Sequence, residues 1–220
     1  MADRQQYQIA VQWAKNGRIQ SLARFDLSRA DLAGIDLLGA QLTMANLTET
    51  NLSGAYLTGA SLTLANLKEA TLGGASLIGA DLSGVDLRGA DLVAALLSNA
   101  DLREANLGRA YLSEADLGCA DLREAFLEAA DLRKADLTQA RLTWADLNQA
   151  SLGEANLCQA GLRGATLRKA YLGGANLAGA DLREANLVQT YFFRATYTKD
   201  TVWPEGFEPK RAGLILVESY

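Results

Sequence analysis

The sequence contains no histidine, which removes the commonest general base and the commonest transition-metal ligand. Neither a Ser-His-Asp nor a Cys-His arrangement can be built from it. The cysteines are two, Cys119 and Cys158, with no CxxC pair. So few thiols fit a reducing compartment, and a cytoplasmic location is expected. Long apolar runs are missing too: nothing approaches a membrane span, and residues 1–20 lack the apolar stretch of a signal peptide. Positive charge is not in excess, the formal net charge being −5, so binding of nucleic acid through a basic surface is not expected. No GxGxxG or Walker-type loop occurs, and no cofactor or metal is expected. Acidic residues are plentiful but follow a repeat on what should be a convex surface. A paired-carboxylate site needs a cleft and shifted pKa values. The expectation is a protein that is not an enzyme, with no catalytic, cofactor-binding or metal residues.

Aromatics make up only 7% of the 220 residues, yet 49% are hydrophobic, mostly leucine and alanine. That is enough to bury a core and argues against disorder. The leucines are strictly periodic. Every fifth residue from Leu22 to Leu187 is leucine, followed in register by Phe192 and Tyr197. From Leu27 onward, alanine stands two places before each leucine except at Phe25, Ile35, Thr50 and Val85. Asp or Asn most often lies between, and small or polar residues follow. The unit reads A-(D/N)-L-x-x. A period of five suits neither a continuous helix nor a long strand, but does suit a short extended piece and a turn. Ala and Leu then point inward and Asp/Asn outward. The Asp/Asn side chain can accept from a backbone N–H two residues on, which favours the turn.

A second period sets the coil. DLREA begins at Asp101, Asp121 and Asp181; LTMAN, LTLAN and LTWAD begin at Leu42, Leu62 and Leu142. Glycine recurs at Gly34, Gly54, Gly74 and Gly174, and at Gly39, Gly59, Gly79 and Gly179. All spacings are multiples of 20, so four repeats make one coil. The repeats from Leu22 to Tyr197 then form about nine four-sided coils, a rod of about 43 Å at the ~4.8 Å strand spacing. Cys119 and Cys158 fall two coils apart, about 10 Å, beyond the roughly 7 Å between Cα atoms that a disulfide can bridge.

This pattern resembles the pentapeptide-repeat family over residues 22–199. The resemblance implies an all-β fold, a right-handed quadrilateral parallel β-helix. The tail, Thr201-Val-Trp-Pro-Glu-Gly-Phe-Glu-Pro and then Ala212 to Val217, is similar to the tails of cyanobacterial members. The chain therefore divides into an N-terminal helical cap (1–20), the repeat β-helix (21–199) and a C-terminal capping tail (200–220). Residues 5–16 read as the cap helix, with Tyr7, Ala10, Val11 and Ala14 on one stripe and Gly17 as a stop. At the other end the core is expected to enlarge to Tyr191, Phe192, Phe193 and Tyr197. Pro204 and Pro209 should end regular structure, with Leu214–Val217 as apolar cover. A second reading of this end is a dimer interface, as in gyrase-protecting relatives.

Sorting outward residues by side separates the faces. Between residues 21 and 190 the first side (Leu22 series) has seven acids and six bases, the second (Leu27 series) six of each. The third (Leu32 series) has five acids and two bases, with Tyr111, Tyr171 and Tyr191 in one column. The fourth (Leu37 series) has three acids and no base, and its N-terminal half presents Leu38, Tyr56, Ile78 and Leu96. A flat, partly apolar strip of this kind is a candidate contact surface for a protein partner. The expected function is therefore a rigid solenoid that binds a protein partner, regulatory in a cyanobacterium if the resemblance extends so far. The alternative implied by the family is a DNA-mimicking modulator of DNA gyrase. Mimicry needs a strongly negative surface, whereas Arg103, Arg123, Arg163 and Arg183 line one side here. Members of that branch also often carry a central phenylalanine and a loop between coils, and from Leu22 to Leu187 this sequence has neither.

Overall fold

A leucine at every fifth position can face one interior only if the chain turns at every repeat, and the backbone of the computed structural model does so. It describes residues 3–16 and 21–218. The residue before each central leucine forms a parallel bridge with its equivalent 20 residues on, from Asp26↔Asn46 to Asn176↔Thr196. Four repeats therefore complete one coil. Most of the rod has isolated bridges rather than strands, because a turn every five residues leaves one residue per face for pairing. Only β1 (Thr196–Tyr197) and β2 (Ile215–Leu216) are longer, and they pair in parallel.

The backbone donors of a repeat can be followed one by one. In the second coil, the Leu42 N–H donates to the Ser61 carbonyl (2.7 Å), and the Met44 N–H to that of Thr63 (2.9 Å). The Asn46 N–H reaches back to Phe25 (2.8 Å), and the Ala45 N–H closes the turn on Leu42 (2.9 Å). The remaining donor, on the residue after leucine, goes to the Asp or Asn before it: the Leu38 N–H lies 3.0 Å from Asp36 Oδ1, and the Arg103 N–H 3.1 Å from Asp101 Oδ1. The Asp/Asn preference thus satisfies the one N–H that the ladder leaves over.

The second residue after each leucine has positive φ, from Arg24 to Arg194. With the bond from alanine to leucine this is a type II turn. Glycine fills some of these positions, such as Gly54 (φ 63°), but side-chain-bearing residues fill more, such as Glu104 (φ 58°). Each of the latter costs about 1–2 kcal/mol. The ladder bonds above and below hold them in place.

Inside, every ladder leucine from Leu22 to Leu182 is at most 2% exposed, and alanine beside it keeps the section narrow. The exceptions at the alanine position have local causes. Phe25 and Ile35 lie in the first coil and pack against the core, as do Tyr7, Ile9 and Val11 of α1 (Arg4–Asn16). Thr50 is wholly buried, and its hydroxyl donates to the Leu27 carbonyl (2.8 Å). Thr190 and Thr201 repeat this bond to Leu167 and Leu177.

At the N-terminal end, Asp3 caps α1 by accepting from the Gln5 N–H (2.8 Å). The first bridge residue is also covered: the Asp3 N–H donates to the Asp26 carbonyl (3.1 Å), and the Asp26 N–H to Gln6 Oε1. Ala10 is wholly buried against the core, and the expected stop Gly17 lies outside the described residues. The C-terminal end differs from the sequence expectation. Phe192 and Tyr197 do point inward, but Tyr191 and Phe193 point out, 49% and 58% exposed. Trp203 and Phe207 complete the plug, stacked 4.9 Å apart over Phe192 and Tyr197. Strand alternation explains the exchange: neighbours of an inward residue face outward. Only Leu214 of the expected apolar cover is buried, while Ile215 and Leu216 are exposed in β2. One residue is inserted in the last coil, so Asp181 bridges Val202 rather than position 201.

Candidate protein-contact surface

Because the interior and the ladder use the same positions in every coil, the four sides differ only in the residues that flank each leucine outside. On the first side the arginine after leucine folds back on the aspartate of its own repeat. Arg103–Asp101, Arg123–Asp121 and Arg183–Asp181 are each 2.6 Å apart, and Arg163 crosses to Glu184 of the next coil (2.6 Å). The second and third sides repeat the device at Arg88–Asp86 and Arg133–Asp131. The guanidinium groups beside them hold the Asp86, Asp131 and Asp181 carboxyls below the usual aspartate value. These pairs neutralise the surface locally.

The fourth side divides in two. From Ser98 onward it is a hydrogen-bond ladder. Ser98 donates to Asp116 (2.6 Å), Asn156 to Thr138 (2.7 Å), Asn176 to Asn156 (3.1 Å) and Gln139 to Gln159 (2.8 Å). Cys119 and Cys158 are free thiols on this side, and Cys119 points to Gln139 Oε1 (3.5 Å). The N-terminal half carries the strip. Leu38, Tyr56, Ile78 and Leu96 are 41%, 58%, 38% and 40% exposed. Tyr56 and Leu96 lie in one bridged column, with Ser76 between them. Leu38 and Ile78 lie in the next column, beside glycines with nothing within 4 Å of a Cβ at Gly39, Gly59 or Gly79. The four side chains thus fall on successive coils of one accessible face. Thr58 and Ser76 fill the gap between them, bonded to each other at 2.8 Å.

Other exposed apolar groups lie outside the strip, and of these the sequence singles out only the column of Tyr111, Tyr171 and Tyr191. Val93 and Tyr111 extend the strip around the corner onto the third side. Leu64 and Trp144 lie over Gly84 and Gly164 of the following coil, in the space their Cβ atoms would take. A bulky residue one coil before a glycine in the same column was the available signal. Tyr171 lies across Gly153 and Gly173 and stacks on Tyr191 at 5.0 Å. A shallow depression over Gly89 and Gly108 on the second side is bordered by Lys68, Arg109, Phe126 and Asp146. Among the described residues no group of Cys, Asp or Glu could hold a metal ion, and no helix is long and apolar enough to cross a membrane.

A family model described as pentapeptide repeats matches residues 26–63, 65–103, 90–128, 127–164 and 160–196. Among solved structures the chain is similar to HetL of the cyanobacterium Nostoc sp. strain PCC 7120, a pentapeptide repeat protein involved in heterocyst differentiation regulation. The identity is 33% over 81% of this chain and 85% of that one, with a TM-score of 0.46. A pentapeptide repeat protein of the Arabidopsis thaliana thylakoid lumen is 29% identical over 54% of this chain and 68% of its own (TM-score 0.39). QnrB1, a plasmid-mediated fluoroquinolone resistance protein, is 19% identical over 76% of this chain and 93% of its own (TM-score 0.36). No significant match is found among curated proteins. With the family model covering most of a rod whose coils from Asp26 to Thr196 hold four five-residue units each, the chain belongs to the pentapeptide-repeat family.

Proposed function

We propose that this protein is a non-enzymatic interaction protein, a rigid right-handed β-helix of about nine coils that presents Leu38, Tyr56, Ile78 and Leu96 to a protein partner. Residues 1–20 and 200–220 act as its caps, and the setting is regulatory, in a cyanobacterial cytoplasm. The observation that carries this reading is the strip itself: four exposed apolar side chains on successive coils of a side that has no lysine or arginine between residues 21 and 190. Exposed apolar area with accessible margins marks contact sites more often than it arises by chance. Solenoids act through such extended faces. The arginine–aspartate pairs of the first side speak against DNA mimicry, which needs uncompensated negative charge.

The test is the double change Leu38→Asp with Ile78→Asp. Both side chains point outward, so thermal melting should stay that of the unchanged protein. Crosslinked capture from the source organism and the sedimentation profile are then compared. Loss of a captured partner, or of self-association, supports the strip as the contact surface. A folded double mutant that keeps its partners and its oligomeric state removes that role, and the C-terminal end, with Ile215 and Leu216 exposed, becomes the surface to examine.

A further inference from the structure

The same strip has a character that narrows its partner. Along the sides of the rod, the ladder takes the carbonyls of Tyr56, Thr58, Ser76, Ile78, Leu96 and Ser98, and leaves over the N–H groups of Thr58, Ile78 and Ser98, whose repeats lack the Asp or Asn. The Tyr56 N–H donates to Ile35, the Leu57 N–H to Ser76, and the Gly59 N–H to Ile78, at 2.7–3.0 Å. An added strand would therefore meet scattered donors rather than the continuous donor and acceptor row of a free sheet edge. A segment that satisfies its own backbone, a helix, can dock without that loss. Columns of glycine border the strip on both sides, with Gly34, Gly54 and Gly74 at one corner and Gly39, Gly59 and Gly79 at the other. Nothing stands within 4 Å of a Cβ at any of the six, so the margins are low enough for a helix to approach. The four coils of the strip cover about 15 Å, the rise of about ten helical residues or three turns.

Charge narrows it further. Between residues 31 and 119 the third and fourth sides carry Asp31, Asp36, Asp91, Glu114 and Asp116, and no lysine or arginine. Over the same residues the cations Lys68, Arg88, Arg103 and Arg109 all lie on the first and second sides. The apolar strip, extended by Val93 and Tyr111, thus sits in a border of one sign. We infer that the strip takes an amphipathic helix whose apolar face is flanked by lysine or arginine. This inference rests on the contact reading above and adds the structure and charge of the partner. Complementary borders set specificity and encounter rate, and the apolar centre supplies the contact.

Two labelled three-turn synthetic peptides test it by fluorescence anisotropy against the full chain, one of leucine and lysine in amphipathic order and one of leucine and glutamate. The lysine peptide is expected to bind and the glutamate peptide not to. Leu38→Ser with Ile78→Ser, which removes apolar contact without adding charge, should abolish binding. Asp31→Asn with Asp91→Asn should weaken it at least about threefold. Glu104→Gln with Glu124→Gln removes the same charge from the first side and should leave it unchanged. Equal binding of both peptides, still lost in the serine variant, overturns the charge assignment and leaves the contact reading standing. Binding that survives the serine change, or that weakens equally in the two charge variants, is non-specific attraction and overturns the inference. Failure of the lysine peptide to bind also overturns it.

Discussion

The first and fourth sides rest on one interior and differ in nearly everything outside it. Leu102 and Leu97 are equally buried, and the turns that follow both have positive φ, at Glu104 and Asn99. Outward, the first side sets Arg103 on Asp101, whereas the fourth shows Leu96 beside Ser98 and no base between residues 21 and 190. The repeat dictates the leucine, the alanine and, through one leftover N–H, the preference for Asp or Asn. It leaves the two residues after leucine almost free. A whole face can therefore be exchanged without disturbing the core, and specificity has to be sought on the faces.

Breaking what the two sides share should have the largest effect. Leu107→Lys should abolish cooperative melting, since an unpaired charge would be buried in the ladder. Leu107→Ala should cost about 2–5 kcal/mol in denaturant unfolding. A lysine variant that melts like the unchanged protein would contradict the inward assignment.

The shared turn should be more forgiving. Gly54→Ala meets nothing within 4 Å, so only the left-handed backbone opposes it. That strain of about 1–2 kcal/mol is partly offset by a stiffer unfolded chain, worth about 0.4–1 kcal/mol. A loss near 1 kcal/mol in denaturant unfolding is expected, well below that of Leu107→Ala.

Acid should distinguish the sides more gently. Asp131 and Asp181 titrate below the ordinary 3.8, held down by Arg133 and Arg183. Their contribution is present above the unfolded-state value and is lost as pH falls through 3.8 toward the lower folded value. The effect is small, because the arginines are exposed and screened. Stability measured from pH 6 to pH 3 should fall slightly less steeply in Arg133→Gln than in the unchanged protein. The smallest expected effect is none: in a gyrase supercoiling assay with a fluoroquinolone, the protein at micromolar concentration should neither inhibit nor protect. Protection at submicromolar concentration would return DNA mimicry to first place.

The body of the rod was legible because its rule is strict. A leucine every five residues with glycines and DLREA strings every 20 admits one coil, and the bridges follow it from Asp26 to Thr196. The strip was legible too, since an outward column can be read by counting. Tyr191 and Phe193 depart from the expected aromatic core because position, not aromatic content, decides which way a side chain points. Both flank the central Phe192, and the alternation that puts Phe192 inside puts them out. The continuation of the strip to Val93 and Tyr111 turns a corner, and a reading side by side does not join two faces.

Sequence alone determined the coil, its four repeats and the inward leucine ladder, because each coil packs on a copy of itself and one register satisfies all of them. The ends were decided only in three dimensions. Beyond Tyr197 no repeat sets the register, so the inserted residue before Val202, the Trp203–Phe207 plug and the return of β2 to pair with β1 depend on what closes an open core. The same holds for Phe25 and Ile35, which depart from alanine because the first coil packs against a helix instead of another coil.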